Sequence, residues 1–235
     1  MGRSAVVTAG GDVTTVLALA RYASRLTSPR AKGRANDDDT ANDDELVIAA
    51  DQGWRLARRL DLDVDILIGD FDSLDADELA EARSLGVEVR AHPAVKDATD
   101  LELALQTAVD AGATDIVVCD GGGDRFDHAM ANLLTAAGFG GRARMSVVTP
   151  EATVTVVTGS RELGGEVGEI VTLLAIFGPA RGVSTTGLLY PLSDELLSPG
   201  SSRGVSNELV APTARVTVGA GTLLAVQPGP TKEHP

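Results

Sequence analysis

The sequence predicts a two-part α/β protein: an N-terminal, mostly parallel sheet with flanking helices over 1–149, then a smaller all-β sandwich or barrel over 150–235. Three observations carry this. Short β-branched runs alternate with helical patterns through the first two-thirds of the chain, the mark of a parallel sheet covered by helices. Beyond residue 150 the helical periodicity fades, and strand-like runs are separated by Gly and Pro turns, as in antiparallel sandwiches and barrels. Hydrophobic residues make up 43% and aromatics only 3%, so both cores must be built mainly from Ala, Val, Leu and Ile.

In chain order, the first strand is Ala5-Val6-Val7-Thr8. Residues 28–45, "SPRAKGRANDDDTANDDE", interrupt the alternation with a polar, acidic, low-complexity stretch that reads as a flexible loop. Strands follow at Leu46–Ala50, Ile66–Ile68, Val87–Val89, Ile116–Cys119 and Met145–Val148, with helical stretches around Glu78–Ala82 and Leu101–Leu105. In the second part, Val154–Val157, Ile170–Leu174, Ala214–Val218 and Leu223–Val226 are strand-like. No internal repeat is present.

Net charge is −14, which excludes a general nucleic-acid binder, because phosphate backbones need a basic footprint. An anionic small substrate would need local Arg or Lys, or a divalent cation. The single cysteine, Cys119, excludes an internal disulfide framework and cannot make a thiolate metal site alone. No apolar run has membrane-spanning length and the N-terminus lacks a signal-peptide pattern, so a cytoplasmic protein without a membrane partner is expected.

The chemistry is concentrated where strands end. Ile66-Leu67-Ile68 runs into Gly69-Asp70-Phe71-Asp72-Ser73. If the chain stays extended, Asp70 and Asp72 point the same way, since side chains alternate with period two. Two like charges about 4 Å apart repel by roughly 4 kcal/mol at an effective dielectric near 20. A hard cation between them removes that cost, and Mg²⁺ is suited to a pair of carboxylates plus phosphate oxygens. The competing reading makes Asp72-Ser73 the N-cap of the helix that follows.

Other strand ends repeat the pattern. Leu46–Ala50 ends in Asp51-Gln52-Gly53, Val87–Val89 leads to "KDATDLELAL", and Ile116–Cys119 ends in Asp120-Gly121-Gly122-Gly123-Asp124-Arg125-Phe126-Asp127-His128. Open α/β sheets bind ligands beyond the carboxyl ends of their strands. Thr99 and Glu102 have capping-box spacing, and a helix N-terminus also suits phosphate. Three successive glycines let phosphate approach the backbone, or only make a turn. Arg125 offers a guanidinium fork for phosphate oxygens. His128 reads as a helix-start residue, since its spacing to His92 and His234 forms no ligand set.

Six segments together resemble the thiamine pyrophosphokinase (thiamine diphosphokinase) family: "ADQGW" at 50–54, "DILIGDFDSL" at 65–74, "KDATDLELAL" at 96–105, "GGGDRFDHAMANL" at 121–133, "GVSTTGLLYPL" at 182–192 and "GVSNELV" at 204–210. The resemblance spans nearly the whole chain in the family's order. It implies an α/β nucleotide-binding catalytic domain, a β-sandwich thiamine-binding domain, and a homodimer with thiamine at the subunit interface. It implies Mg²⁺-dependent transfer of the pyrophosphoryl group of ATP to the hydroxyl of thiamine, giving thiamine diphosphate and AMP. Asp70, Asp72 and Asp100 would hold the metal. With Arg125 and Asp127 they would form the catalytic set. Asp51, Gln52, Lys96, Asp97, Thr99, Gly122, Gly123 and Arg125 would surround the nucleotide, and Thr186, Tyr190, Ser206 and Asn207 the thiamine.

Lys96, Asp124 and Tyr190 depart from the residues common in the family, which are Gln, Gly and Trp. Two other readings share parts of this pattern. One is a related pyrophosphokinase acting on another alcohol, such as a hydroxymethylpterin. The other is a non-catalytic nucleotide- or thiamine-binding regulator.

Overall fold

The computed structural model describes residues 2–10, 45–95, 97–121 and 125–229. The 28–44 part of the acidic stretch, Lys96, Gly122, Gly123 and Asp124 lie outside the described residues. The chain divides into two compact units: residues 1–136 with 148–150, and residues 137–147 with 151–235. Among the described residues, no helix is long and apolar enough to cross a membrane.

In the first unit, strands β1 (Arg3–Ala9), β2 (Glu45–Ala50), β3 (Ile66–Gly69), β4 (Glu88–Ala91) and β5 (Ala113–Asp120) form a sheet in the order β4-β3-β2-β1-β5. Every neighbouring pair is parallel. The inner strands are apolar on both faces, as a sheet sandwiched between helices requires: β2 is buried along its whole length, whereas the edge strand β4, Glu88-Val89-Arg90-Ala91, is polar and partly exposed. Helices α1 (Gly53–Arg59), α2 (Ala76–Ser84), α3 (Asp100–Asp110) and α4 (Phe126–Gly138) follow β2, β3, β4 and β5 in turn. One side of the core gathers Trp54, Leu56 and Ala57 of α1 against Val47, Ala49, Leu67, Val117 and Cys119 of the strands.

Parallel pairing puts all carboxyl ends on one edge, which is why the acidic strand ends converge. The chain adds strands outward from β1 to β4 and then crosses to β5 on the far side of β1. That reversal makes the β1/β5 boundary a topological switch point, where open sheets leave a crevice.

The second unit contains β6 (Arg144–Val148), β7 (Ala152–Val157), β8 (Ser160–Gly164), β9 (Ile170–Thr186), β10 (Glu195–Leu197), β11 (Asn207–Glu208), β12 (Thr213–Thr217) and β13 (Ala220–Pro228). It is antiparallel along the path β7-β13-β9-β12-β8. The sequence reading placed a strand only over Ile170–Leu174, whereas β9 runs for 17 residues. Its first half pairs with β13 and its last three residues with β12. Phe177 (φ 60°) and Gly178 (φ 134°) interrupt the pairing with β13, which resumes at Arg181 after a register shift. Inward residues Val171, Leu173, Ala175, Ala180 and Val183 pack with Leu163, Ala214, Val216 and Leu223 in an aliphatic core.

Candidate active site

The site starts from backbone placed outside ordinary strand geometry. Directly after β2, Asp51 takes a left-handed conformation (φ 44°) and its N–H donates to the Ile68 carbonyl at 2.8 Å. Asp tolerates this region better than bulkier residues do. Two residues on, α1 begins so close to β1 that a Cβ on Gly53 would stand 2.0 Å from the Thr8 carbonyl oxygen. The glycine of "ADQGW" is therefore required by the approach of helix to strand.

After β3 the chain does not stay extended, and the alternation argument for Asp70 and Asp72 fails here. Phe71 lies at φ 62°, a costly region for an aromatic residue. The turn lets the Asp72 N–H donate to Asp70 Oδ1 at 3.2 Å, while Ser73 Oγ donates to Asp72 Oδ1 at 2.9 Å. The carboxylates are brought together by this turn. The helix-cap reading of Asp72-Ser73 also gives way. The N-cap of α2 is Asp75, whose side chain accepts from the Glu78 N–H while Glu78 reaches back to the Asp75 N–H, a full capping box.

The outcome is a group of three carboxylates, Asp51, Asp70 and Asp72, with one oxygen from each all within 4.8 Å of one another. Burial pushes the Asp51 carboxyl above its ordinary value, against the lowering hydrogen bonds from Ser73 and the Gln52 backbone, and the charges of Asp100 and Asp72 raise it further. Its Oδ1 is buried with no hydrogen-bond partner. The sequence reading set Asp51 at the border of the metal site and Asp100 within it. In the structure Asp51 closes the group, and Asp100 faces the same cavity from the first turn of α3.

That cavity holds about 710 Å³ and opens along the carboxyl edge of the sheet. Asp51 and Gln52 line it from the end of β2, Asp70, Asp72 and Ser73 from the end of β3, and Thr99 and Asp100 from the start of α3. Thr99 caps α3, its hydroxyl accepting from the Glu102 N–H at 3.2 Å. Arg125 and His128 enter from the α4 side.

Asp97 and Asp127 are outside the lining. Asp127 is exposed and clasped by Arg125, whose Nε donates to Oδ1 at 3.1 Å and whose Nη2 donates to Oδ2. The guanidinium holds the Asp127 carboxyl down at about 2. Two further cavity residues, Asp120 at the end of β5 and Asn132 on α4, were missed as site residues by the sequence reading. Asp120 had been noted only as a strand-end acid, and the signal for Asn132 is its place two turns into a helix that starts at the site.

The second unit brings the other candidates together around one loop. Thr186 ends β9, and Tyr190, 57% exposed, follows four residues later. Ser206 lies at φ 55° and its N–H donates to Thr172 Oγ1 at 3.0 Å. Asn207 is 4% exposed. Its Oδ1 accepts from the N–H groups of Tyr190 and Glu208, both at 2.9 Å, and its Nδ2 donates to the Tyr190 carbonyl at 2.8 Å. These bonds fix the Tyr190 segment to Asn207 and leave the second Nδ2 hydrogen of the amide uncommitted among the bonds formed.

These two regions coincide with two matches to known families. Residues 38–148 match the thiamin pyrophosphokinase catalytic domain, and residues 154–223 match the thiamin pyrophosphokinase vitamin B1 binding domain. A thiamine pyrophosphokinase of Bacillus subtilis (strain 168) is 24% identical over 162 residues, covering 68% of this chain and 76% of its own. Among solved structures, the fold is shared with thiamine pyrophosphokinase from Bacillus subtilis (TM-score 0.76, 20% identity, 97% of this chain and 100% of that one). It is shared equally with the Geobacillus thermodenitrificans protein (TM-score 0.74, 23% identity, 97% and 99%). It extends to thiamin pyrophosphokinase from Candida albicans (TM-score 0.66, 12% identity, 96% and 90%). With a carboxylate-lined cavity in the segment that matches the catalytic domain and an antiparallel unit in the segment that matches the vitamin-binding domain, the chain belongs to the thiamin pyrophosphokinase family.

Proposed function

We propose that this protein transfers the pyrophosphoryl group of ATP to the hydroxyl of thiamine, releasing thiamine diphosphate and AMP, with Mg²⁺ as cofactor. The observation that carries this reading is the Asp51–Asp70–Asp72 group facing a roomy cavity inside the catalytic-domain match. An all-oxygen donor set with one buried, unpartnered Asp51 oxygen fits a hard divalent cation, and these three residues would hold it. When bound, the cation offsets charge on the phosphate oxygens.

The chain's own residues supply positioning and electrostatics, on which phosphoryl-type transfer mainly depends. Thr99 orders the first turn of α3, and the N-terminal end of that helix favours a phosphate there. Asp100, in that same turn, is the acceptor for the thiamine hydroxyl proton. The Arg125 guanidinium stabilises charge that grows on the transferred group. Tyr190, held by Asn207, supplies an aromatic wall for the cationic vitamin. We read the working form as a homodimer in the cytoplasm.

Incubating the purified chain with ATP, Mg²⁺ and thiamine should yield thiamine diphosphate and AMP in equal amounts by chromatography. AMP formation that needs a different alcohol would replace thiamine as the acceptor. A preparation inert toward every nucleotide would overturn the transferase reading.

A further inference from the structure

Phe71 at φ 62° makes the turn between Asp70 and Asp72 costly, and such backbone persists only where its surroundings over-determine it. On the apolar side, Phe71 packs against the core and Leu74 is buried in it. On the polar side the bonds within the turn are long: the Asp72 N–H reaches Asp70 Oδ1 at 3.2 Å, and the Leu74 N–H the Phe71 carbonyl at 3.4 Å. Arg55 of α1 adds a shorter bond from another element, its Nη2 donating to the Ser73 carbonyl at 2.9 Å.

Arg55 is itself fixed at both ends. Its neighbours Trp54 and Leu56 are buried, which anchors α1 in the core beneath it. Its guanidinium forks onto Glu78 in the first turn of α2, Nε to Oε1 at 2.6 Å and Nη2 to Oε2 at 2.8 Å. The bond from Arg55 holds the Glu78 carboxyl below its ordinary value, which keeps the pair charged. Glu78 in turn accepts from the Asp75 N–H at 3.0 Å. One side chain thus joins α1, α2 and the turn between β3 and α2. Ser73 carries this to the carboxylates, because its Oγ donates to Asp72 Oδ1 at 2.9 Å. Burial raises the Asp51 carboxyl, and the same Ser73 hydroxyl is the chief influence lowering it. With side chains 48% and 21% exposed, the Arg55–Glu78 pair is of a kind that adds little to global stability. Its effect falls on the turn.

We propose that Arg55 is a positioning residue: clasped to Glu78, it holds the Ser73 carbonyl and so keeps the strained turn in the shape that brings Asp70 and Asp72 to Asp51. The consequence for a divalent cation rests on the metal assignment under the proposed function.

The test compares Arg55→Lys, which keeps the charge but loses the planar fork, with Arg55→Ala and with Asp75→Ala, which removes the α2 cap and leaves the fork in place. Amide hydrogen exchange over residues 70–74 reads the turn in the metal-free chain. Titration with Mn²⁺ alone, followed by water proton relaxation, reads the carboxylate group, since Mn²⁺ shares the oxygen preference of Mg²⁺. In both Arg55 variants exchange at 70–74 should quicken and Mn²⁺ should bind about tenfold more weakly, the low end for an outer-shell partner. Exchange within β2 and β3 and the thermal midpoint should stay near wild type. Excess Mg²⁺ should restore turnover in the product assay, which a general loss of folding would not allow. Asp75→Ala should bind Mn²⁺ as the wild type does. An affinity loss of the same size in Asp75→Ala assigns the effect to the helix end and overturns the proposal. So does a lowered midpoint with faster exchange throughout β2 and β3, which makes Arg55 a general structural residue. If the wild type binds Mn²⁺ and both Arg55 variants keep its affinity and its exchange, the clamp fails and the cation reading stands. If the wild type takes up no Mn²⁺ while the turn still loosens in both variants, the cation reading fails and the clamp stands.

Discussion

Phe71 carries the strain on which the carboxylates depend. Its positive φ turns the chain between Asp70 and Asp72, and strain of this kind is usually tied to function. The sequence made the two acids visible but supported their convergence with an extended backbone that does not exist. Removing one charge isosterically, Asp72→Asn, should leave the circular dichroism spectrum and thermal midpoint near wild type. Turnover should drop by more than a hundredfold, since even outer-shell partners of a bound metal are worth about 10–100-fold. Wild-type-like rates in the product assay would remove Asp72 from the metal set. Arg125 and Asp127 give a second test. Asp127 is held at about 2 by its partner, so Arg125→Leu should let its midpoint rise toward 3.8 in an NMR pH titration. Because the folded value is depressed, the pair contributes above the ordinary carboxylate range and its contribution fades as pH falls through about 2. An unmoved midpoint would mean the ion pair does not persist in solution.

The elements of the sheet were legible from their residues, and their ends less so. Runs such as Leu46–Ala50 and Ile116–Cys119 mark strands because buried parallel strands are continuously apolar. The competing reading of Asp72-Ser73 as the α2 cap lies one turn too early, because Asp and Ser are good caps wherever they stand. The capping box formed at Asp75 and Glu78 instead, which frees Asp72 for the cavity. Asp75→Ala should lower stability by about 1 kcal/mol in urea denaturation while leaving KM for ATP unchanged. A large KM effect would tie that helix end to the nucleotide. The 17-residue length of β9 escaped the sequence reading because Gly178, Pro179 and Gly182 look like turn residues. In the structure Gly178 and Gly182 both take positive φ within one long strand that pairs with β10, β11, β12 and β13.

At the scale of the whole molecule, the homodimer we propose should appear in sedimentation as a species of about twice the 24.2 kDa chain mass. A single 24.2 kDa species at working concentration would contradict it. The sequence by itself determined the α/β-then-β order, the acidic edge and the family. Strand–helix alternation forces parallel pairing, parallel pairing puts every carboxyl end on one side, and six separated motifs agree in order. Only the tertiary structure decided which acids act together. Asp51 joins Asp70 and Asp72 because β2 and β3 are neighbours, whereas Asp120 is set apart by the reversal of strand order at β1. Likewise the resemblance places Asn207 beside the vitamin, and only packing shows that its amide also ties down the backbone of Tyr190 and Glu208. Periodicity along a chain reports which side of an element a residue faces. The distances between side chains from different elements follow from strand order and turns, which no local pattern encodes.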